Sequence, residues 1–79
     1  MSEAKCLDVR GLLCPVPVIR TQQVVRLMAV GERMWIVATD PGVMHDVPAW
    51  CRVHGHKVVE QVVERPDYRV LIEVGRRNN

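Results

Sequence analysis

The stretch with chemical potential is GLLCPVPVIR at residues 11–20, where one thiol, Cys14, stands before Pro15, Val16 and Pro17 and a run that reads as a helix. A cysteine is a nucleophile as its thiolate. If Pro15 is the first helical residue, Cys14 is the N-cap. Backbone N–H groups at that end lack partners, and the helix dipole places partial positive charge there. A thiolate in that position accepts hydrogen bonds from the first turn, and its pKa is expected to fall below the ~8.5 of an ordinary cysteine. Pro15 costs nothing at the first helical position, because its missing N–H was unpaired anyway. Pro17 fits the same turn, and it also occupies the place of the second thiol of a Cys-x-x-Cys pair. Without a resolving cysteine there, sulfur attached to Cys14 is not expelled at once by a neighbour. A cysteine before a helix is also commonly a small apolar filler. What favours a chemical role is the whole series of strand, glycine turn, thiol, two prolines and amphipathic helix.

Other polar residues carry weaker signals. Cys51, His54 and His56, with His45 nearby, raise the idea of zinc, but the C-x2-H-x-H spacing straddles Gly55 and matches no standard finger. Surface histidines and no metal are the expectation. Cys51, beside Trp50, reads as a buried helix cysteine, and Cys6 on the first strand is given no role. Arg20, Gln23 and Arg26 recur at spacing three and form a solvated helix face. With Arg10 they are also candidates for a docking surface around Cys14, where the charges of Arg10 and Arg20 would favour an anionic sulfur. Asp40 and Asp46 stand where they could cap a second helix, and they too are candidates for partner contact.

The elements that must hold these residues follow from pattern and punctuation. KCLDV (5–9) reads as a first strand, and Gly11 begins a turn. A helix is expected from about Pro15 to Met28, with Val18, Thr21, Val25 and Met28 on one face, Val24 and Leu27 flanking it, and Gly31 ending it. RMWIVAT (33–39) is a strand apolar enough to be central in its sheet, and DPG (40–42) breaks it. A second helix ends near Gly55. Either Asp46 caps it with Pro48 in the first turn, which is the preferred reading, or an earlier helix is kinked at Pro48. KVVEQVVE (57–64) and YRVLIEV (68–74) form a hairpin through RPD. The order β-α-β-α-β-β implies an α/β (α+β) two-layer sandwich, with a four-stranded mixed sheet and two helices on one face.

The bulk composition agrees. The chain of 79 residues, 48% apolar and 25% charged, is expected to be one domain over residues 1–79. A chain this short buries only ~60% of its unfolded surface. It has no phenylalanine, so valine must supply much of the packing. The first residues lack a signal-peptide apolar stretch and no window approaches a membrane span, so a cytoplasmic protein is expected. Three cysteines cannot all pair within one chain and read as free thiols in a reducing compartment. The net charge of +2 is mild; nine of the eleven cations are arginine and they are scattered, which argues against nucleic acid as a direct partner.

In this setting the sequence resembles the TusA (SirA-like) family of small sulfur carriers. The matching residues are LD (7–8), GL (11–12), CPVPV (14–18), Gly31-Glu32, DP (40–41), Asp46 with Pro48, Cys51, His56, Tyr68 and the closing LI before Gly75. The resemblance implies the same β-α-β-α-β-β sandwich and a persulfide carried on Cys14, with no metal or organic cofactor. It implies a donor protein, such as a cysteine desulfurase or a rhodanese, and an acceptor protein. The family serves tRNA thiolation, molybdenum cofactor supply and, in sulfur oxidisers, oxidative enzymes. One departure is Val16, where some well-known members have glutamate; it bears on which partners this chain takes. A small carrier that docks transiently is expected to be a monomer.

Two other classes are weighed against the carrier. A regulatory or nucleic-acid-binding module would need a basic stripe or aromatic stacking platform, and the chain has two tryptophans and one tyrosine. A peroxide-reducing or disulfide-exchange enzyme would need a resolving thiol near Cys14, and none stands at the usual spacing.

Overall fold

The computed structural model describes residues 4–76, with elements β1 (Lys5–Asp8), α1 (Val16–Val25), β2 (Arg33–Ala38), α2 (Val43–His54), β3 (Lys57–Glu64) and β4 (Asp67–Glu73). The order matches the expected two-layer α+β sandwich. The four strands lie in the order β1-β2-β4-β3. β1 runs parallel to β2, and the other two neighbouring pairs are antiparallel. The apolar β2 is internal, as its composition implies, with β1 on one side and β4 on the other.

Side chains alternate across a strand, so one face of the sheet collects every second residue. Met34, Ile36 and Ala38 of β2 share a face with Val70 and Ile72 of β4, and Met34↔Ile72 and Ile36↔Val70 are direct partners. These residues are buried in one cluster with Val25 of α1 and Val43, Val47 and Cys51 of α2. Both helices therefore cover the same face. β-Branched side chains and Met34 do the packing that phenylalanine does elsewhere, and full burial of each is worth about 1.5–3 kcal/mol.

The first helix is shorter than the apolar pattern predicts. It starts at Val16, with Pro15 as N-cap, and ends at Val25. Beyond it the Leu27 N–H donates to Val24 O at 2.9 Å and the Met28 N–H to Val25 O at 3.0 Å. These three-residue steps tighten the chain and rotate successive side chains differently from an α-helix. Met28 still reaches the core, but Leu27 is 86% exposed instead of flanking it. Gly31 does not end the helix; with φ of 92° it serves the turn into β2.

The second helix starts earlier than the preferred reading placed it. It is capped by Gly42 and runs through Pro48, with Asp46 already inside its first turn. Proline has no N–H for the carbonyl four residues back, here that of Met44. That carbonyl instead accepts the Gln61 Nε2–H from β3 at 2.9 Å. A tertiary donor thus replaces the bond the sequence deletes. Gly55 closes the helix in the left-handed region with φ of 80°, as expected, and the His56 N–H donates to Cys51 O at 2.8 Å.

The exposure pattern yields a contrast. Ile72→Ala should cost about 2–5 kcal/mol, as large-to-small changes in a packed core do, whereas Leu27→Ala should stay within about 0.5 kcal/mol. Urea midpoints of the two variants would measure this, and a comparable loss from Leu27→Ala would place that residue in the core after all.

Candidate functional site

Because β1 and β2 are parallel, their carboxyl ends emerge at the same edge of the sheet. The segment after β1 and the segment after β2 are thereby neighbours. The Gly11 N–H donates to Thr39 Oγ1 at 2.9 Å, and the Cys14 N–H donates to Asp40 Oδ2 at 3.0 Å. The other oxygen of Asp40 accepts the Gly42 N–H at 3.0 Å. One carboxylate thus ties the thiol-bearing segment to the start of α2.

The thiol itself meets a second carboxylate. Cys14 is exposed, and its Sγ–H donates to Asp46 Oδ2 at 2.7 Å. Asp46 stands in the first turn of α2, where the dipole favours negative charge. Cys14 is therefore not an N-cap, and Asp46 is not a cap of α2. The donors at the head of α1 are largely committed elsewhere. The Val16 N–H donates to Leu13 O at 2.9 Å, the Ile19 N–H to Pro15 O at 3.1 Å, and Pro17 has none to offer.

This arrangement reverses the expected effect on the thiol. The hydrogen bond to Asp46, the displacement of some solvent by neighbouring groups, and the charges of Asp46 and Asp40 together push the Cys14 pKa above the ordinary thiol value. A carboxylate that accepts the thiol proton stabilises the neutral form. Asp40 moves the other way: the Gly42 and Cys14 N–H groups hold it below the ordinary carboxylate range.

Among the described residues the arginines do not join the thiol. Arg10 is clamped onto Asp8 through Nε and Nη2, both at 2.9 Å. That pairing draws Asp8 down to about 2. Arg20, Gln23 and Arg26 are exposed along α1. Among the described residues none of them contributes to the Cys14 shift, so the expected cationic support is absent from it. Arg33 and Arg69 are ion-paired as well, at 3.0 Å from Glu73 and 3.3 Å from Glu64.

The remaining cysteines and histidines are dispersed. Cys51 is buried in the core, 1% exposed, and burial pushes its thiol to about 11. Cys6 pairs with Trp35 in register, which puts it on the sheet face away from the helices, where it lines a shallow cavity with Arg10 and Arg69. His56 is a correction to the surface-histidine reading. It is buried, its Nδ1 accepts the Gly75 N–H at 3.0 Å, and its ring stacks on Trp50 with centroids 4.9 Å apart. Among the described residues no group of three acidic, histidine or cysteine side chains is placed to hold a metal ion.

An accessible thiol on the loop between a strand and a proline-led helix is thus the focus of the edge, and sequence comparison points the same way. The family model of sulfurtransferase TusA matches residues 5–74. The chain belongs to the TusA family. Its fold is also that of a SirA-like protein from Desulfitobacterium hafniense, with a TM-score of 0.78 over 90% of this chain and 97% of that one, at 19% identity. TusA proteins are sulfur carriers that work in relay with other proteins. In this TusA-family chain no helix among the described residues is long and apolar enough to cross a membrane.

Asp46, expected as a helix cap or partner contact, instead accepts the Cys14 thiol proton. Nothing in the spacing of 32 residues between Cys14 and Asp46 indicates that they touch. The observation that could have raised it is that both lie just beyond parallel strands.

Asp40 supplies a pH test. Its pKa is lowered on folding from 3.8, so its contribution is fully present above that value and is lost as the pH falls through the folded value. Asp40→Asn should therefore flatten the acid limb of stability below about pH 4. Denaturant midpoints across that range would show it, and an unchanged acid limb would mean the two N–H contacts do not persist in solution.

Proposed function

We propose that this protein carries sulfane sulfur as a persulfide on Cys14, accepting it from a donor protein and passing it to an acceptor protein. The observation that carries the reading is the position of Cys14: an accessible thiol at the sheet edge, held by Asp40 and Asp46, with neither of the other two cysteines in contact with it. Cys51 is buried, and Cys6 faces the opposite side of the sheet. A disulfide-exchange enzyme needs a resolving thiol within reach, so this separation favours a carrier.

The transfer is a thiol–persulfide exchange. The Cys14 sulfur attacks the outer sulfur of the donor persulfide; a new S–S bond forms as the donor's own S–S bond breaks. The donor leaves as a thiolate and takes up the proton that Cys14 gives up. The sulfane sulfur keeps its oxidation level, so the exchange consumes no electrons and no cofactor. An acceptor cysteine then repeats the step on the Cys14 persulfide.

Docking would use the surface beside the thiol. Leu13 is 74% and Ile19 48% exposed there, and Arg20, Gln23 and Arg26 continue along α1. Apolar anchors within a polar, arginine-bearing rim suit a transient protein partner. Val16, within the motif, adds an uncharged contact where a carboxylate would restrict the choice of donor. A monomer working in a reducing cytoplasm, where its thiols stay reduced, fits this role.

Incubation with a cysteine desulfurase and cysteine, or with a rhodanese and thiosulfate, followed by intact-mass analysis, tests the proposal. One added sulfur is expected, removable by reductant and absent from Cys14→Ser. Uptake that survives Cys14→Ser, or none in the wild type, overturns it.

A further inference from the structure

The thiol proton of Cys14 lies between Sγ and Asp46 Oδ2, 2.7 Å apart, and Asp40 brings a second carboxylate to the same residue through its N–H. Among the described residues no cation offsets them. Arg10, on the segment leading to the thiol, is bound to Asp8. Arg20 of α1 and His45 of α2 are exposed and make none of the hydrogen bonds at the site. Ionising Cys14 here would give up its hydrogen bond and set a negative charge beside two others. A carrier thiol tuned only for speed would be surrounded in the opposite way.

Loading changes the balance. A persulfide is a stronger acid than a thiol, and its terminal sulfur stands one S–S bond farther out. The loaded group is thus more readily an anion, and the same two carboxylates then repel it toward solvent.

We propose, building on the sulfur-carrier reading, that Asp46 is a proton lock on Cys14. It holds the empty carrier as an unreactive thiol, and docking of a donor protein releases the thiolate by drawing the two side chains apart. The rise in the Cys14 pKa caused chiefly by Asp46 is in keeping with this. The lock explains how an exposed cysteine can wait for its donor without reacting with small electrophiles or oxidants. It makes the protein–protein encounter the step that activates the sulfur. Asp46 acts on the reacting atom through its proton, and Asp40 positions the segment.

The test compares wild type with Asp46→Asn, which preserves size and removes the negative charge. Alkylation of Cys14 by iodoacetamide is followed by peptide mass spectrometry as a function of pH. The lock predicts a midpoint at lower pH in the variant and alkylation at neutral pH faster by about tenfold or more, one pKa unit being tenfold in thiolate. Asp46→Glu keeps a carboxylate and should hold the midpoint near that of wild type; Asp46→Ser replaces the asparagine variant if that variant does not fold. Sulfur uptake from inorganic polysulfide should accelerate in parallel with alkylation, and by a larger factor than uptake from a desulfurase, because docking already opens the lock. An unshifted alkylation profile overturns the proposal. So does slower uptake from polysulfide, which would make Asp46 a base, or equal acceleration with the protein donor, which would mean that docking does not open the lock. Alkylation requires no sulfur loading, so a shifted profile in a protein that never takes up sulfur would refute the carrier reading separately.

Discussion

The parallel pairing of β1 with β2 is the constraint on which the rest of the molecule depends. Residues 5–8 pair with residues 34–37 in a common direction, so α1 must return the chain from the end of one strand to the start of the other. The apolar side chains of β2 and β4 face one way, and both helices are drawn to that side. Loops that follow parallel neighbours then meet at one edge, the usual location of functional groups in sheets with this connection. Cys14 comes from the first of these loops, Asp40 from the second, and Asp46 from the turn of helix beyond it.

Within that edge, two electrostatic influences compete for the thiol. A helix N-terminus favours an anion, typically by 0.3–1 kcal/mol where exposed. A carboxylate accepting the thiol proton favours the neutral group, and it lies in direct hydrogen-bond contact. The dipole acts through the N–H groups of the first turn, and here Val16 uses its own within the turn while Pro17 has none. Asp46 therefore prevails. The prolines that look like supports for a thiolate remove the donors that would have stabilised it, leaving the acidic neighbours to govern its protonation.

A similar substitution of distant for local bonds holds α2 together. Pro48 interrupts the ladder of the helix, and Gln61 of β3 supplies the donor that the Met44 carbonyl lacks. The helix is thus pinned to the edge of the sheet at the position where it is weakest. Near its end, Trp50 and His56 stack, and His56 accepts the Gly75 N–H, which fastens the final segment beside α2. Gly75 passes so close to the Gly55 carbonyl that a side-chain carbon there would collide with it. These contacts keep the first turn of α2, and with it Asp46, in a fixed relation to the sheet.

The sequence by itself determined the order of the elements, the central place of β2, the glycine that closes α2 and the one thiol in a family motif. Each follows from local rules: alternation in strands, helical spacing, the conformations of glycine and proline, and the Cys14-Pro15-Val16-Pro17 arrangement. It misjudged the end of α1, expected at Met28 and found at Val25, where local three-residue bonds tighten the chain. It also misjudged the start of α2 before Pro48 and the burial of His56, which depend on a hydrogen bond or a ring contributed from elsewhere. Only the tertiary structure decided the protonation tendency of Cys14. Charge acts through space, and the two carboxylates that decide it are 26 and 32 positions away along the chain. The fold brings them within hydrogen-bond reach, while the arginines nearest in sequence are bound to Asp8 or exposed on α1.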